Sequence, residues 1–300
     1  MRILVLGGSG FIGRHVVRAL QARGHGVIVG TRRPGAPHPC PAREAHYEEL
    51  LEASAWERLV SGIDVAVNSV GILRERRRET YERVHHLAAG ALALACARRR
   101  TRLIHVSALG LHAAARSRFI TSKLAGERAV AASGAESCIV RPSLLDGEGG
   151  FGARWLRRVA GWPVHFVPAD AAGRIAALDV RDLGEAIANL CELPAMPRDA
   201  EVGGTTAYTM AGYLDALRAA KGLGPAPALS IPGWLARAAS HAFDVLHFSP
   251  FSFGHWELMR RDNVPCPNVL PQLLGRAPVP VARIRPQDWP GLRAAGDRAS

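Results

Sequence analysis

An α/β fold, a doubly wound parallel sheet carrying a smaller C-terminal lobe, is what the sequence predicts, and three observations predict it. Short apolar runs alternate with helical patterns over about half the chain. The first of those runs ends in a glycine-rich turn that opens a helix. After Gly147 the alternation stops and Gly and Pro become frequent. Strand–helix alternation implies parallel strands, right-handed crossovers and helices on both faces of the sheet.

The elements follow in order. Arg2–Leu6 is an apolar run of the kind that forms a buried parallel strand. In Phe11–Arg23, Ile12, Val16, Val17 and Leu20 share one helical face, and Gly24 is the stop signal. Val27–Val29 is a second strand, and the proline-rich stretch Pro34–Pro41 is a loop. Leu50–Val60 reads as helix, Ile63–Val70 as strand, Glu79–Arg99 as one long helix and Leu103–Ser107 as strand. Phe119–Ala132 is helical, and Ser137–Arg141 is a strand that stops at Pro142. Helices at Val180–Cys191, Gly212–Lys221 and Gly233–Val245 belong to the region past Gly147, and Arg174–Leu178 is the piece expected to return to the sheet. This gives a nucleotide-binding unit of residues 1–147 and a lobe of residues 148–300, packed on it and partly interleaved with it. Asp182 is expected to cap the helix from Leu183 onward.

Composition narrows the function classes. Apolar residues at 48% and charged residues at 21% of 300 describe a globular chain. The net charge of +12 is almost wholly arginine, since Lys123 and Lys221 are the only lysines. The arginines are spread along the chain, and the runs Arg76–Arg78 and Arg98–Arg100 fall at helix ends, so no nucleic-acid partner is expected. Cys40, Cys96, Cys138, Cys191 and Cys266 show no metal-ligand spacing, and no metal is expected. The opening residues enter a strand at once and no apolar stretch approaches the ~20 residues of a membrane span, so a cytoplasmic location is expected. Trp234–Phe253 is apolar and aromatic. It reads first as a helix packed on the lobe and broken at Pro250, and second as a membrane-surface helix that would put the protein on the inner face of a membrane.

Gly7-Gly8-Ser9-Gly10-Phe11-Ile12-Gly13 follows the first strand and opens the first helix. Gly7 permits the tight turn, Gly10 lets the backbone approach a pyrophosphate, and Gly13 lets helix and strand pack closely. The helix N-terminus then offers free N–H groups and positive dipole charge to the phosphates. In a strand–turn–helix setting this is the Rossmann dinucleotide fingerprint. An NAD-selective chain places Asp or Glu at the end of the second strand to hold the adenosine ribose. Here Thr31-Arg32-Arg33 stands at that place, and guanidinium groups suit a 2′-phosphate, so NADP(H) is expected over NAD(H).

Further pieces stand in a recurring order: Val67 to Glu75, Val84-His85, His105 to Gly110, Ser122 to Glu127, Arg141-Pro142-Ser143, and Leu258 to Val264. Together they resemble the atypical or extended short-chain dehydrogenase/reductases, in particular the NAD(P)-binding family that includes the nucleotide-binding accessory subunit of respiratory complex I and its bacterial relatives. The resemblance implies cofactor contacts from Gly7, Ser9, Gly10, Phe11, Ile12 and Gly13, and from Asn68, Ser69, Val70 and Gly71 on the adenosine side. It implies that Ser107 orients a substrate carbonyl, that Lys123 binds the nicotinamide ribose, and that Pro142 and Ser143 flank the nicotinamide.

Active members of that family carry a tyrosine one helical turn before the lysine, as the proton donor. Here the position is Phe119, in Phe119-Ile120-Thr121-Ser122-Lys123. Phenylalanine has no proton to give, and a general acid contributes about 10²–10⁴-fold. Tyr47, Tyr81, Tyr208 and Tyr213 lack the spacing to replace it from the same helix, and Asp146, Glu148 and Asp170 remain as acids of unknown position. His85, His86 and His105 read as structural, and His241, His247 and His255 are scattered. The chain is therefore expected to bind NADP(H) with little or no catalysis, serving sensing, structure or assembly with an unknown small molecule or protein. The alternative is an active reductase, epimerase or dehydratase with a relocated acid.

Overall fold

The computed structural model describes residues 1–147, 149–246 and 251–281. The order is β1 (Arg2–Leu6), α1 (Phe11–Ala22), β2 (Gly26–Thr31), β3 (Ala42–Glu44), α2 (Ala53–Val60) and β4 (Val65–Asn68). A π-helical stretch, Glu82–Leu87, runs directly into α3 (Ala88–Arg99), followed by β5 (Arg102–Val106), α4 (Arg118–Ala132), β6 (Ser137–Pro142) and β7 (Leu145–Asp146). Then come α5 (Phe151–Ala160), β8 (His165–Pro168), β9 (Leu178–Asp179), α6 (Val180–Glu192) and β10 (Asp199–Val202). The described chain finishes with α7 (Met210–Ala219), β11 (Ala228–Ile231), α8 (Gly233–Leu246), α9 (Phe253–Met259) and α10 (Leu270–Leu274).

The main sheet has the order β10-β6-β5-β4-β1-β2-β3, with every pairing parallel. Both faces are covered, which is why its central strands read as unbroken apolar runs. Val16, Val17 and Leu20 of α1 pack with Leu183, Ile187 and Leu190 of α6 on one face. Trp56 and Val60 of α2, Leu92 and Cys96 of α3 and Val130 of α4 cover the other. The strand order reverses between β1 and β4, and in such sheets the crevice beyond the strand C-termini at that point is where ligands bind. Gly7 and Ser69 leave β1 and β4 there, so close that a Cβ on Gly7 would lie 3.2 Å from Ser69 Oγ.

Several local expectations are corrected. Arg174–Leu178 does not rejoin the main sheet. Leu178–Asp179 instead pairs with Leu145–Asp146 in a two-stranded ribbon. The strand that does return is β10, beside β6. Its sequence, Asp-Ala-Glu-Val, is short and half acidic, and carries little strand signal. Asp182 is not the cap of α6. The helix starts earlier, and Asp179 caps it by accepting from Arg181 N at 2.7 Å. Asp182 is buried and accepts instead from Arg276 Nη2 and Val279 N. The long helix over 79–99 is part π-helical, and the helix sought over 50–60 begins only at Ala53. Over Trp234–Phe253, α8 packs through Ala236 and Ser240 but leaves Trp234 73% exposed; the break at Pro250 lies outside the described residues.

Candidate functional site

The glycine turn is dictated by backbone contact. Gly7 has φ +72°, a region that favours glycine, and its carbonyl accepts from Gly10 N at 2.8 Å. A Cβ on Gly13 would sit 2.2 Å from Gly7 O, so any side chain there would push α1 off the turn. The amides of Phe11, Ile12 and Gly13 lie in the first turn of α1, where no helix carbonyl is in reach, and that turn holds no acidic residue. Side chains of the same motif turn away: Ile12 packs with Val180, and the Phe11 ring lies against Gly150 and edge-on to His15. Ser9 is exposed at the mouth.

At the adenosine end, Thr31 closes β2 and its Oγ1 accepts from Arg33 N at 3.3 Å. Arg33 is exposed. Arg32 is held in an ion pair with Glu79, a residue singled out only as the start of a helix. Asn68 donates to Tyr47 Oη at 2.6 Å, lies 2.9 Å from His105 Nδ1, and accepts from Val70 N, which pins the turn after β4. Ser69 donates to Leu6 O at 2.7 Å. Val70 and Gly71 continue this turn along the same edge: a Cβ on Gly7 would meet Val70 at 3.2 Å, and one on Gly71 would meet Lys123 Nζ at 3.8 Å.

At the other end, Ser107 leaves β5 with its N–H on Val140 O, while its Oγ is buried without a hydrogen-bond partner among the described residues. Burial pulls the Lys123 ammonium down to about 8, against the opposing charge of Glu127. Phe119 is 7% exposed. Its ring sits edge-on to Tyr81 and His85, stacks on His255 at 5.6 Å, and lies under Lys123 Nζ at 5.7 Å. His85 bridges Ser122 Oγ and Ile72 N, so it is a structural histidine; burial first, then Lys123, hold it well below its usual range. Burial also takes His105 down to about 3 and, helped by Arg74, takes His255 down to about 4. These rings are neutral at neutral pH and are weak proton donors.

The other candidates disperse. Pro142 is buried inside β6, and the Ser143 hydroxyl is engaged by Asn263 at 2.6 Å. Asp146 is wholly buried and gripped by Arg157 through two hydrogen bonds. Asp170 meets Trp256 Nε1 and Arg260. Glu148 and His247 lie outside the described residues. His241 stacks on Phe253 at 4.4 Å, and His86 pairs with Glu82 on the surface.

The sequence pieces quoted above prove to be parts of one packing arrangement. Glu127 takes three hydrogen bonds from Arg141, tying α4 to β6. A Cβ on Gly126 would lie 1.9 Å from His85 O, so only glycine lets α4 settle on the π-helical stretch with Lys123 facing the crevice. Asn263 donates to Leu109 O, and Glu257 accepts from Arg116 N and Ser117 N at the start of α4. No spacing signal in the sequence assigns His255, Glu257 or Glu79 a role here, because each arrives from a distant segment.

A family model described as the NAD dependent epimerase/dehydratase family matches residues 3–203. A ceramide reductase of Caulobacter vibrioides is 31% identical over 65% of this chain and 62% of its own length. A mitochondrial NADH dehydrogenase [ubiquinone] 1 alpha subcomplex subunit 9 of Dictyostelium discoideum is 26% identical over 70% of this chain and 61% of its own. The chain thus spans less than two thirds of these relatives. Among solved structures, a UDP-glucose 4-epimerase of Thermus thermophilus in complex with NAD superposes with a TM-score of 0.58, at 23% identity over 77% of this chain and 86% of that one. The UDP-glucose 4-epimerase of Thermotoga maritima with UDP-glucose gives 0.67, at 18% identity over 94% and 96%.

Proposed function

The chain belongs to the NAD-dependent epimerase/dehydratase family, and from that premise we propose that it is an NADP(H)-binding protein with little or no catalysis of its own, serving a sensing, structural or assembly role. One observation carries the reading: the backbone cradle is intact, with Gly13 admitting no Cβ, whereas the place where the family resemblance puts the proton donor holds the ring of Phe119. The cradle fits a dinucleotide, and Ser107 Oγ, without a hydrogen-bond partner among the described residues, fits an acceptor beside it. The amides of Phe11 to Gly13 would hold the diphosphate, Arg32 and Arg33 the 2′-phosphate, Asn68 to Gly71 the adenosine side, and Lys123 the nicotinamide ribose, with Pro142 and Ser143 beside the nicotinamide. When bound, NADPH supplies a hydride. Ser107 would orient an acceptor's carbonyl, but Phe119 delivers no proton to its oxygen. Glu79 must release Arg32 before a 2′-phosphate can take it. The relative named as an NADH dehydrogenase subunit supports a protein partner, and we place the chain in the cytoplasm or on the inner face of a membrane. No helix among the described residues is long and apolar enough to cross a membrane.

A second reading is an active NADPH-dependent reductase, epimerase or dehydratase with a relocated acid. The ceramide reductase relative and the position of Tyr81 and His255 against Phe119 favour it. Against it, Tyr81 Oη donates to Leu73 O and His255 is discharged. Calorimetry with NADPH and NADH, followed by NADPH oxidation with a panel of carbonyl substrates, separates the two. The first reading expects tighter binding of NADPH than NADH and no oxidation above background. Rapid substrate-dependent oxidation abolished by Lys123→Met would establish the second.

A further inference from the structure

Large apolar side chains are exposed unevenly over this molecule. Of the twelve prominent ones among the described residues, eight fall between residues 151 and 246, in α5, β8, β11, α8 and their connections. Phe166 and Leu229 are direct partners on the parallel pair β8–β11, so they stand side by side, 55% and 53% exposed. Helix α8 follows two residues after β11. It turns Ala236 and Ser240 inward, and Leu235, Ala238, Ala242 and Leu246, spaced three and four residues apart, form a solvent-facing apolar stripe with Trp234 at its head. Scattered exposed leucines need no explanation, but an apolar stripe that follows an exposed apolar strand pair directly along the chain marks an interaction surface.

Cations prevail around it, because the carboxylates that border it are engaged: Asp170 by Arg260, Asp244 by Arg74 and Asp215 by Ala226 N. Residues 216–243 contain Arg218, Lys221 and Arg237 and no Asp or Glu, and residues 151–169 contain Arg154, Arg157 and Arg158 and again none. Arg154, Arg158 and Arg237 have no carboxylate partner among the described residues. Between α8 and α9 an open depression of about 620 Å³ is lined by Trp234, Arg237, Trp256 and Arg260 among others. Asp170 neutralises Arg260 there, which leaves Arg237 as its net charge.

We propose that this face of the C-terminal lobe docks on an anionic lipid bilayer, with Trp234, Leu235 and Leu246 in the interfacial layer and the arginines at the depth of the headgroups. An apolar stripe edged by unpaired cations, with its bordering carboxylates already engaged, is a pattern that lies in a bilayer surface, and it gains from each anionic headgroup it meets. Two copies of the chain packed face to face would bring the same cationic rim against itself, so the charge favours the membrane over self-association. The surface goes beyond the nucleotide reading and does not depend on it.

The test is sedimentation of the full chain with vesicles of phosphatidylcholine alone and with about one third phosphatidylglycerol. The chain should pellet with the anionic vesicles, only weakly with the neutral ones, and lose binding as salt is raised. Trp234→Ser with Leu235→Ser should weaken binding on the order of tenfold or more, and Arg237→Glu severalfold. Leu94→Ser, an equally exposed leucine on α3, should change nothing, and an unshifted thermal melt in every variant certifies the fold. No pelleting with either lipid overturns the proposal, as does binding indifferent to the double substitution or equal on both lipids. A lipid-free dimer that the double substitution dissolves would assign the face to self-association instead.

Discussion

The two ends of the crevice between β1 and β4 are constrained by different parts of the chain. At the diphosphate end the limits are set by backbone: a Cβ on Gly13 would meet Gly7 O at 2.2 Å, and nothing there can yield. At the opposite end the limits are set by side chains. Phe119 touches Tyr81, His85, His255 and Lys123, each of which can shift or be exchanged. The diphosphate end therefore cannot change chemistry without losing the turn, whereas the far end can lose a hydroxyl and stay packed.

Phe119→Tyr should have the largest effect of any single substitution at the far end. If only the proton donor is missing, the hydroxyl raises NADPH-dependent reduction by about 10²–10⁴-fold over a near-background rate. An unchanged rate with intact NADPH binding would mean that Ser107 and Lys123 have also left the productive geometry. Gly13→Val attacks the other end. It should lower NADPH affinity on the order of 100-fold in calorimetry and cost about 1–3 kcal/mol in denaturant unfolding, since the turn must open to admit the side chain. Arg32→Glu with Arg33→Glu should weaken NADPH about tenfold or more and leave NADH nearly unchanged.

The smallest effect is a pH dependence at Lys123, whose folded value of about 8 lies below the ordinary 10.5. If Lys123 holds the nicotinamide ribose, its deprotonation above about pH 8 should lower NADPH affinity by roughly tenfold at most between pH 7 and pH 9. Stability runs the other way. Between about 8 and 10.5 the unfolded chain binds more protons at this residue than the folded chain, so this lysine makes the ligand-free protein more stable as pH rises through that window. Calorimetry and thermal melts across the same buffers read the two opposite slopes.

Much of the first end was legible in the sequence because its causes are local. A glycine at positive φ, a glycine under a helix and an apolar strand each announce themselves within a few residues. The layered sheet was legible for the same reason, through the apolar runs of β1, β4, β5 and β6. The far end was only half legible. Lys123 and Phe119 share a helix, so their spacing showed, and Ser107 stood out through the family resemblance. His255, Glu257 and Asn263 come from more than 130 residues away and pack on α4 and Leu109 through contacts that no periodicity encodes. Glu79 escaped because a helix start and an ion-pair partner look alike in sequence. β10 was passed over because its alternating acidic residues resemble a surface loop, although Ala200 and Val202 are buried against β6.

A crystal structure with NADPH bound tests the central claim most directly. The diphosphate should lie on the amides of Phe11 to Gly13, the 2′-phosphate between Arg32 and Arg33 with Glu79 displaced, and the nicotinamide should face Phe119 with no acidic proton within hydrogen-bond reach of a carbonyl held by Ser107. A nucleotide seated elsewhere, or a tyrosine hydroxyl or protonated histidine aimed at that carbonyl, would contradict it.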